Sequence, residues 1–262
     1  MDPASFIRNI VASWHSRASL GDFIRHLFFT YSIRLPRWAR RRDWIIGFHY
    51  PPPIGDVRLL LRANGGADAF IHSEVFDHQC YRLALPQPPQ TILDLGANIG
   101  LSTVFLSRCF PGARLAAVEP EADNFRVLTE NLRLNGVDAN AICAAVDVKD
   151  GKVVMERHTN DYGHRIAATP NPPSDANFEA SALSVPSILR RLGWNRVGLL
   201  KVDIEGHEKS LLSDHCEWMT LVDTMCLEYH HDGAKPELTR LAGRFGFRGP
   251  RQLPGGIWLL TR

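Results

Sequence analysis

Apolar residues recur at helical spacing over residues 4–33, where Phe6, Ile7, Ile10, Val11 and Trp14 precede Phe23, Ile24, Leu27, Phe28 and Tyr31. Spacings of three and four predict two amphipathic helices, separated near Ser19-Leu20-Gly21-Asp22. The pattern then changes. Pro51-Pro52-Pro53 interrupts the chain, Val57 to Leu61 predicts a strand, and Asn64-Gly65-Gly66 has the composition of a hairpin turn, so a small β-element is expected before the main body. From Thr91 onward apolar runs alternate with helical periods. Ile92 to Leu95 leads to Leu101–Leu106, and Leu115 to Val118 leads to a helix with Phe125, Leu128 and Leu132 on its buried face; Ala139 to Val146, Val197 to Val202 and Val222 to Leu227 follow. Such runs with helices between them predict the parallel strands of an α/β sheet with helices on both faces. Lys152 to Glu156 reads as an antiparallel strand, Val185 to Leu189 as a short helix with proline in its first turn, and Pro236 to Phe245 as the last helix. Gly246 to Leu253 and Gly256 to Leu260 read as a closing antiparallel pair. Residues 158–180 have no period and predict a loop or lid.

The length suits one main domain, residues 56–262, behind a helical, basic extension, residues 1–55. A formal net charge of +2 gives no global case for nucleic acid as a partner. The basic excess is local: Arg34, Arg37, Arg40, Arg41 and Arg42, with Trp38 and Trp44 interleaved. That pattern is compatible with peripheral contact with a membrane surface, with an anionic substrate, with nucleic acid, or with a solvated helix face packed on the domain or on a second copy in a homo-oligomer. The five cysteines are odd in number and widely spaced, as buried thiols are, which disfavours a disulfide framework or a zinc site. No apolar run approaches the roughly 18 residues of a transmembrane span, and residues 1–30 lack the apolar core of a signal peptide, so a soluble, cytoplasmic protein is expected.

Chemistry enters at two stretches. The first, Thr91 to Thr103, is strand, glycine turn and helix, with the spacing Asp94-x-Gly96-x-x-x-Gly100. A dinucleotide site would carry glycine where Asp94 stands. A carboxylate at this place repels a pyrophosphate and welcomes a cation, and S-adenosylmethionine carries an ammonium, a sulfonium and no phosphate. Glu119, at the carboxyl end of the next strand about 20 residues on, is placed to accept both hydroxyls of a ribose. Asp147, or the small Ala144 and Ala145, end the third strand where an adenine would lie. Glu74 and Tyr81, just before the first strand, are placed to cover the pocket mouth. The second stretch is Lys201 to Glu208. Along its strand Lys201, Asp203 and Glu205 share a face, and Glu228 and His230 repeat the arrangement after the next strand. If those strands are neighbours, four groups converge with His207 above them. The cluster suits a general base, or a hard metal held by its oxygens. A divalent metal therefore stays open, and no residue is assigned to one.

These stretches, with Glu119-Pro120, Asn131-Leu132-Arg133-Leu134-Asn135 and Glu228-Tyr229-His230, resemble the FkbM family of S-adenosylmethionine-dependent methyltransferases. The similarity runs from about Phe70 to the C-terminus and includes the lead-in Glu74-Val75-Phe76 with Tyr81. It implies a Rossmann-like class I methyltransferase fold: a seven-stranded, mostly parallel sheet with one antiparallel strand near an edge. It also implies transfer of methyl groups to hydroxyl oxygens of a small molecule or glycan, leaving S-adenosylhomocysteine. On this reading Asp94, Gly96, Asn98 and Gly100 hold the methionine portion, Glu119 the ribose, and Ala145 or Asp147 the adenine, with Ala97 and Ser102 also binding the cofactor. Asp203, Glu205, His207 or His230 supplies the base, with neutral His230 and Asp203 ranked first. Two other classes compete: a nicotinamide oxidoreductase, which would share Glu119 but not the glycine spacing, and a non-catalytic domain that binds through its basic N-terminal segment.

Overall fold

The computed structural model describes residues 18–33, 43–157, 165–167, 177–213 and 215–262. The first expected amphipathic helix, the run Arg34 to Arg42 and most of the expected lid lie outside the described residues. Helix α1 (Leu20–Ser32) starts at Ser19, whose hydroxyl oxygen accepts from Asp22 N. The Asp22 carboxylate in turn accepts from Gly47 N at 2.9 Å, tying the helix to strand β1 (Asp43–His49). β1 pairs antiparallel with β2 (Asp56–Arg62) along its whole length. The hairpin therefore turns through Pro51–Gly55, not at Asn64-Gly65-Gly66. The run Trp44-Ile45-Ile46-Gly47-Phe48 offers β2 a partner before residue 50, and the two glycines lead instead into helix α2 (Ala67–His72), which continues as a wide helical turn, Ser73–Asp77. Residue 55, where the sequence divides extension from domain, falls in the hairpin turn. Phe48 and Tyr50 before it share one apolar cluster with Val57 and Leu59 after it.

The main sheet contains β3 (Thr91–Leu95), β4 (Arg114–Glu119), β5 (Ala139–Cys143), β10 (Val197–Val202), β11 (Val222–Leu227), β12 (Arg248–Gln252) and β13 (Trp258–Thr261), in the order β12-β13-β11-β10-β3-β4-β5. β13 runs antiparallel to both neighbours and the other pairings are parallel, the seven-stranded, mostly parallel arrangement that the resemblance implies. Alternate residues divide between the two sheet faces: Ile92 and Leu199 join one apolar cluster, Leu93, Leu95 and Leu200 the other. Helices α3 (Leu101–Cys109) and α4 (Ala122–Leu134) cover the first face; α5 (Val185–Leu192), α6 (Glu208–Ser213) and α7 (Ala234–Phe245) lie toward the second. Between β3 and β10 the winding of the chain reverses, and in open α/β sheets that reversal opens a crevice at the carboxyl ends of the strands.

The expected third strand, Ala139 to Val146, is two. β5 ends at Cys143, and after Ala144 the chain joins a second sheet as β6 (Ala145–Val146), with β7 (Gly151–Glu156), β8 (Arg165–Ile166) and β9 (Asn177–Leu183) in the order β6-β9-β7-β8. Two asparagines of the α4 end fasten the N-terminal hairpin. Asn131 accepts from Leu60 N at 2.6 Å and donates to Leu60 O and Ile99 O, while Asn135 accepts from Arg58 N and donates to Arg58 O. All five cysteines are free thiols. Among the described residues no helix is long and apolar enough to cross a membrane.

Candidate functional site

β3 ends where the chain turns through Gly96 to Gly100 into α3. Gly96 has a φ of 76°, and a Cβ on it would fall 1.7 Å from the Asp203 carbonyl oxygen, so glycine is what lets the ends of β3 and β10 meet. The turn hangs on β4: Gly96 N and Ala97 N both donate to Val118 O at 3.0 Å, and Asn98 N donates to Glu119 Oε2 at 2.9 Å. Glu119 is 5% exposed and also accepts from Glu121 N and Asn124 Nδ2. Burial pushes its carboxyl up to about 7 in spite of these donors. Asn98 Oδ1 is buried and has no hydrogen-bond partner among the described residues. Turn, Glu119, Ala145, Asp203 and Glu205 bound a first pocket of about 580 Å³, which Met155 of β7 and Ile166 of β8 close from the second sheet.

A second pocket, of about 970 Å³, lies across the wall formed by Gly96, Asn98, Asp203 and Glu205, and is lined by Glu74, Tyr81, Lys201, Glu228 and His230. β10 and β11 are neighbours, so Asp203 and Glu228 do converge. Burial, against the opposing charge of Lys201, pushes Asp203 up to about 6. Glu205, held at a left-handed φ of 54°, is pushed up to about 7 by burial and by the charge of Asp203. Glu74 is raised by burial and then by Glu228 and Asp203. The Tyr81 hydroxyl donates to Asp203 Oδ2 at 3.5 Å. Glu74 and Tyr81 therefore belong to the second pocket and not to the mouth of the first.

Three expectations change. Asp94 does face a cation, but the cation is internal. Its carboxylate is fully buried, with Oδ1 3.1 Å from Lys201 Nζ and Oδ2 accepting from the Ser102 and Thr103 hydroxyls at 2.7 Å. Asp94 and Ser102 thus support the turn from beneath. His230 is not a neutral imidazole. Its Nδ1 donates to the fully buried Glu208 at 3.1 Å, and Nε2 lies 3.4 Å from Glu228 and 3.7 Å from Glu205. The bonds to Glu208 and Glu228 raise it to about 11, so at neutral pH it is an imidazolium with no lone pair for a proton. His207 stands apart from the cluster: its Nε2 bonds Asp147 Oδ1 at 2.9 Å, which also takes Asp147 away from a free role at the adenine. Gly100, at a φ of 81°, lies against Leu128 of α4 and starts α3.

Asp203, Glu228 and His230 present ligand atoms within 4.8 Å of one another, so they could hold a cation, although His230 would first have to release its proton. Two contributions escape the sequence. Lys201 is named there only as part of a strand face, yet its ammonium is fully buried in the site. Burial works against that charge, but Asp94 and Asp203 more than offset it and hold the lysine above its ordinary value. Met155 and Ile166 come from a sheet whose packing has no local signal. The alternation Lys201-x-Asp203-x-Glu205 is the pattern that could have pointed to Lys201.

The geometry meets known proteins at this point. The chain is 28% identical over 212 residues to Methyltransferase sdnD of Sordaria araneosa, covering 68% of this chain and 81% of that protein. It is 24% identical over 220 residues to the 31-O-demethyl-FK506 methyltransferase FkbM of Streptomyces tacrolimicus, covering 72% and 85%. The crystal structure of Methyltransferase FkbM from Methylobacillus flagellatus superposes with a TM-score of 0.48 at 15% identity; the match spans 92% of this chain and 59% of that one. The profile of the Methyltransferase FkbM domain matches residues 94–241, from the buried Asp94 into α7. With more than half of its length inside that match, the chain belongs to the FkbM family of methyltransferases.

Proposed function

We propose that the chain transfers a methyl group from S-adenosylmethionine to a hydroxyl oxygen of a small molecule or glycan, the first pocket taking the donor and the second the acceptor. The charge of the first pocket carries this reading. Glu119, Asp203 and Glu205 line it, and no Lys or Arg does among the described residues. A pyrophosphate would be repelled there, whereas a cationic, phosphate-free cofactor is attracted. The unpartnered Asn98 Oδ1 is an acceptor for an ammonium or amine hydrogen, Glu119 suits paired ribose hydroxyls, and Ala145, Met155 and Ile166 offer apolar walls to an adenine. The name of the Streptomyces relative refers to an oxygen-linked methyl group, in line with a hydroxyl acceptor.

The cofactor's sulfonium supplies an already activated methyl carbon. What remains for the protein is to align the acceptor and remove its proton. Glu205 is the best placed base: it lines both pockets, and its carboxyl is poised near neutrality. Asp203, with Lys201 and Tyr81 on its Oδ2, orients the acceptor rather than taking its proton. Calorimetric titration with S-adenosylmethionine and with NADH tests the donor half. Incubation with S-adenosylmethionine and a panel of hydroxylated small molecules and glycans, read by mass spectrometry, tests the acceptor half. S-adenosylmethionine should bind, one acceptor class should gain a methyl group, and Glu205→Gln should lose about 10²–10⁴-fold in turnover at saturating S-adenosylmethionine. Binding of NADH instead, or full turnover by Glu205→Gln, would sink the assignment.

A further inference from the structure

Lys201 is a fully buried charge at the site to which the proposed chemistry gives no step of its own. Its Nζ donates to Gly96 O at 2.7 Å, pairs with Asp94 Oδ1 at 3.1 Å, and stands 3.6 Å from Asp203 Oδ2. Lys201 and Asp94 are register partners on adjacent parallel strands, so the ammonium sits at the seam where the winding of the sheet reverses. Above it the Tyr81 ring centroid lies 5.6 Å away. One donor group thus touches the first glycine of the donor turn, the support of that turn and the carboxylate of the acceptor pocket. Gly96 and Asp203 also meet directly, since a Cβ on the glycine would strike the Asp203 carbonyl.

We propose that Lys201 is a positioning residue that ties the donor turn to the acceptor carboxylate, so that the wall shared by the two pockets holds its shape. The inference rests on the donor and acceptor reading of those pockets. The competing role is narrower: a counter-ion that only neutralises Asp94 in the core. A pair with no other duty can be replaced together by uncharged groups at small cost, whereas removing one member strands the other. The informative protein is therefore Lys201→Met/Asp94→Asn, in which the amide oxygen can still accept from Ser102 and Thr103. Positioning predicts that this double variant melts near the wild type but exchanges backbone hydrogens at residues 96–100 about tenfold faster, with β3 and β10 still protected. It also predicts S-adenosylmethionine affinity about tenfold weaker by calorimetry, the loss of one hydrogen bond to a charged donor. Exchange and affinity both within about threefold of wild type would overturn the proposal, because that result leaves the two charges no duty beyond neutralising each other. If the wild type itself does not bind S-adenosylmethionine, the donor reading fails, while hydrogen exchange still decides the role of Lys201.

Discussion

Replacing His230 by glutamine removes a cation from among Glu205, Glu208 and Glu228 and leaves the fully buried Glu208 with only backbone donors, Ile204 N and Gly206 N. His230 itself keeps 29% of its side chain exposed, so the cost is moderated by solvent and should be about 2–3 kcal/mol in urea unfolding at pH 6. The sign of its pH dependence follows from the raised value. The stabilisation is complete below the ordinary histidine range and fades as pH rises toward about 11, so the gap between His230→Gln and wild type should narrow between pH 6 and pH 10. A gap that widens would refute the imidazolium. The same residue shows where sequence reading stops. That His230 follows a strand and lies near Glu228 is legible from alternation along β11, but its charge state depends on Glu205 and Glu208, which arrive from a loop and a helix start and meet it only in the folded chain.

At the scale of elements, the two asparagines of the α4 end do more for the fold than their exposure pattern suggests. Asn131 satisfies Leu60 N, Leu60 O and Ile99 O with one amide, joining the hairpin, the glycine turn after β3 and α4. Asn131→Ala would leave these buried backbone groups unpaired, and should cost about 2–3 kcal/mol by urea unfolding. A change under about 0.5 kcal/mol would show that water replaces the amide. The spacing Asn131-x-x-x-Asn135 is visible in the sequence as one face of a helix. What that face meets is not, because β2 lies some 70 positions earlier. The hairpin is misplaced for a related reason: the glycines at 65 and 66 are the stronger local turn signal, and the apolar run after residue 43 is masked by the arginines before it. The parallel strands themselves are more legible, because each is mostly apolar and the pocket-lining residue follows at its carboxyl end: Gly96 after β3, Asp203 after β10, Glu228 after β11.

For the whole molecule, the site sets the pH dependence of stability. Glu119 and Glu205 rise to about 7 and Asp203 to about 6 on folding, so the native chain holds these protons more tightly than the unfolded one. Each contribution is fully present below the ordinary carboxylate range and is lost as pH rises through the folded value. The urea midpoint should therefore fall between pH 5 and pH 8, and Glu205→Gln should flatten part of that fall. A midpoint that climbs over this interval would contradict the raised carboxyls. Stability given up in the range where a base must be ionised is the expected mark of a site built for reaction and not for rigidity.

The hairpin edge has one more consequence. A two-stranded sheet has two open sides, and β2 turns the backbone groups of Arg58 and Leu60 away from β1. Bare, they would be a template on which the strand of another chain could add. Asn131 and Asn135 close that side with side-chain amides in place of a third strand. Their helix therefore also guards the chain against self-association, and losing both amides together would show first as aggregation on concentration.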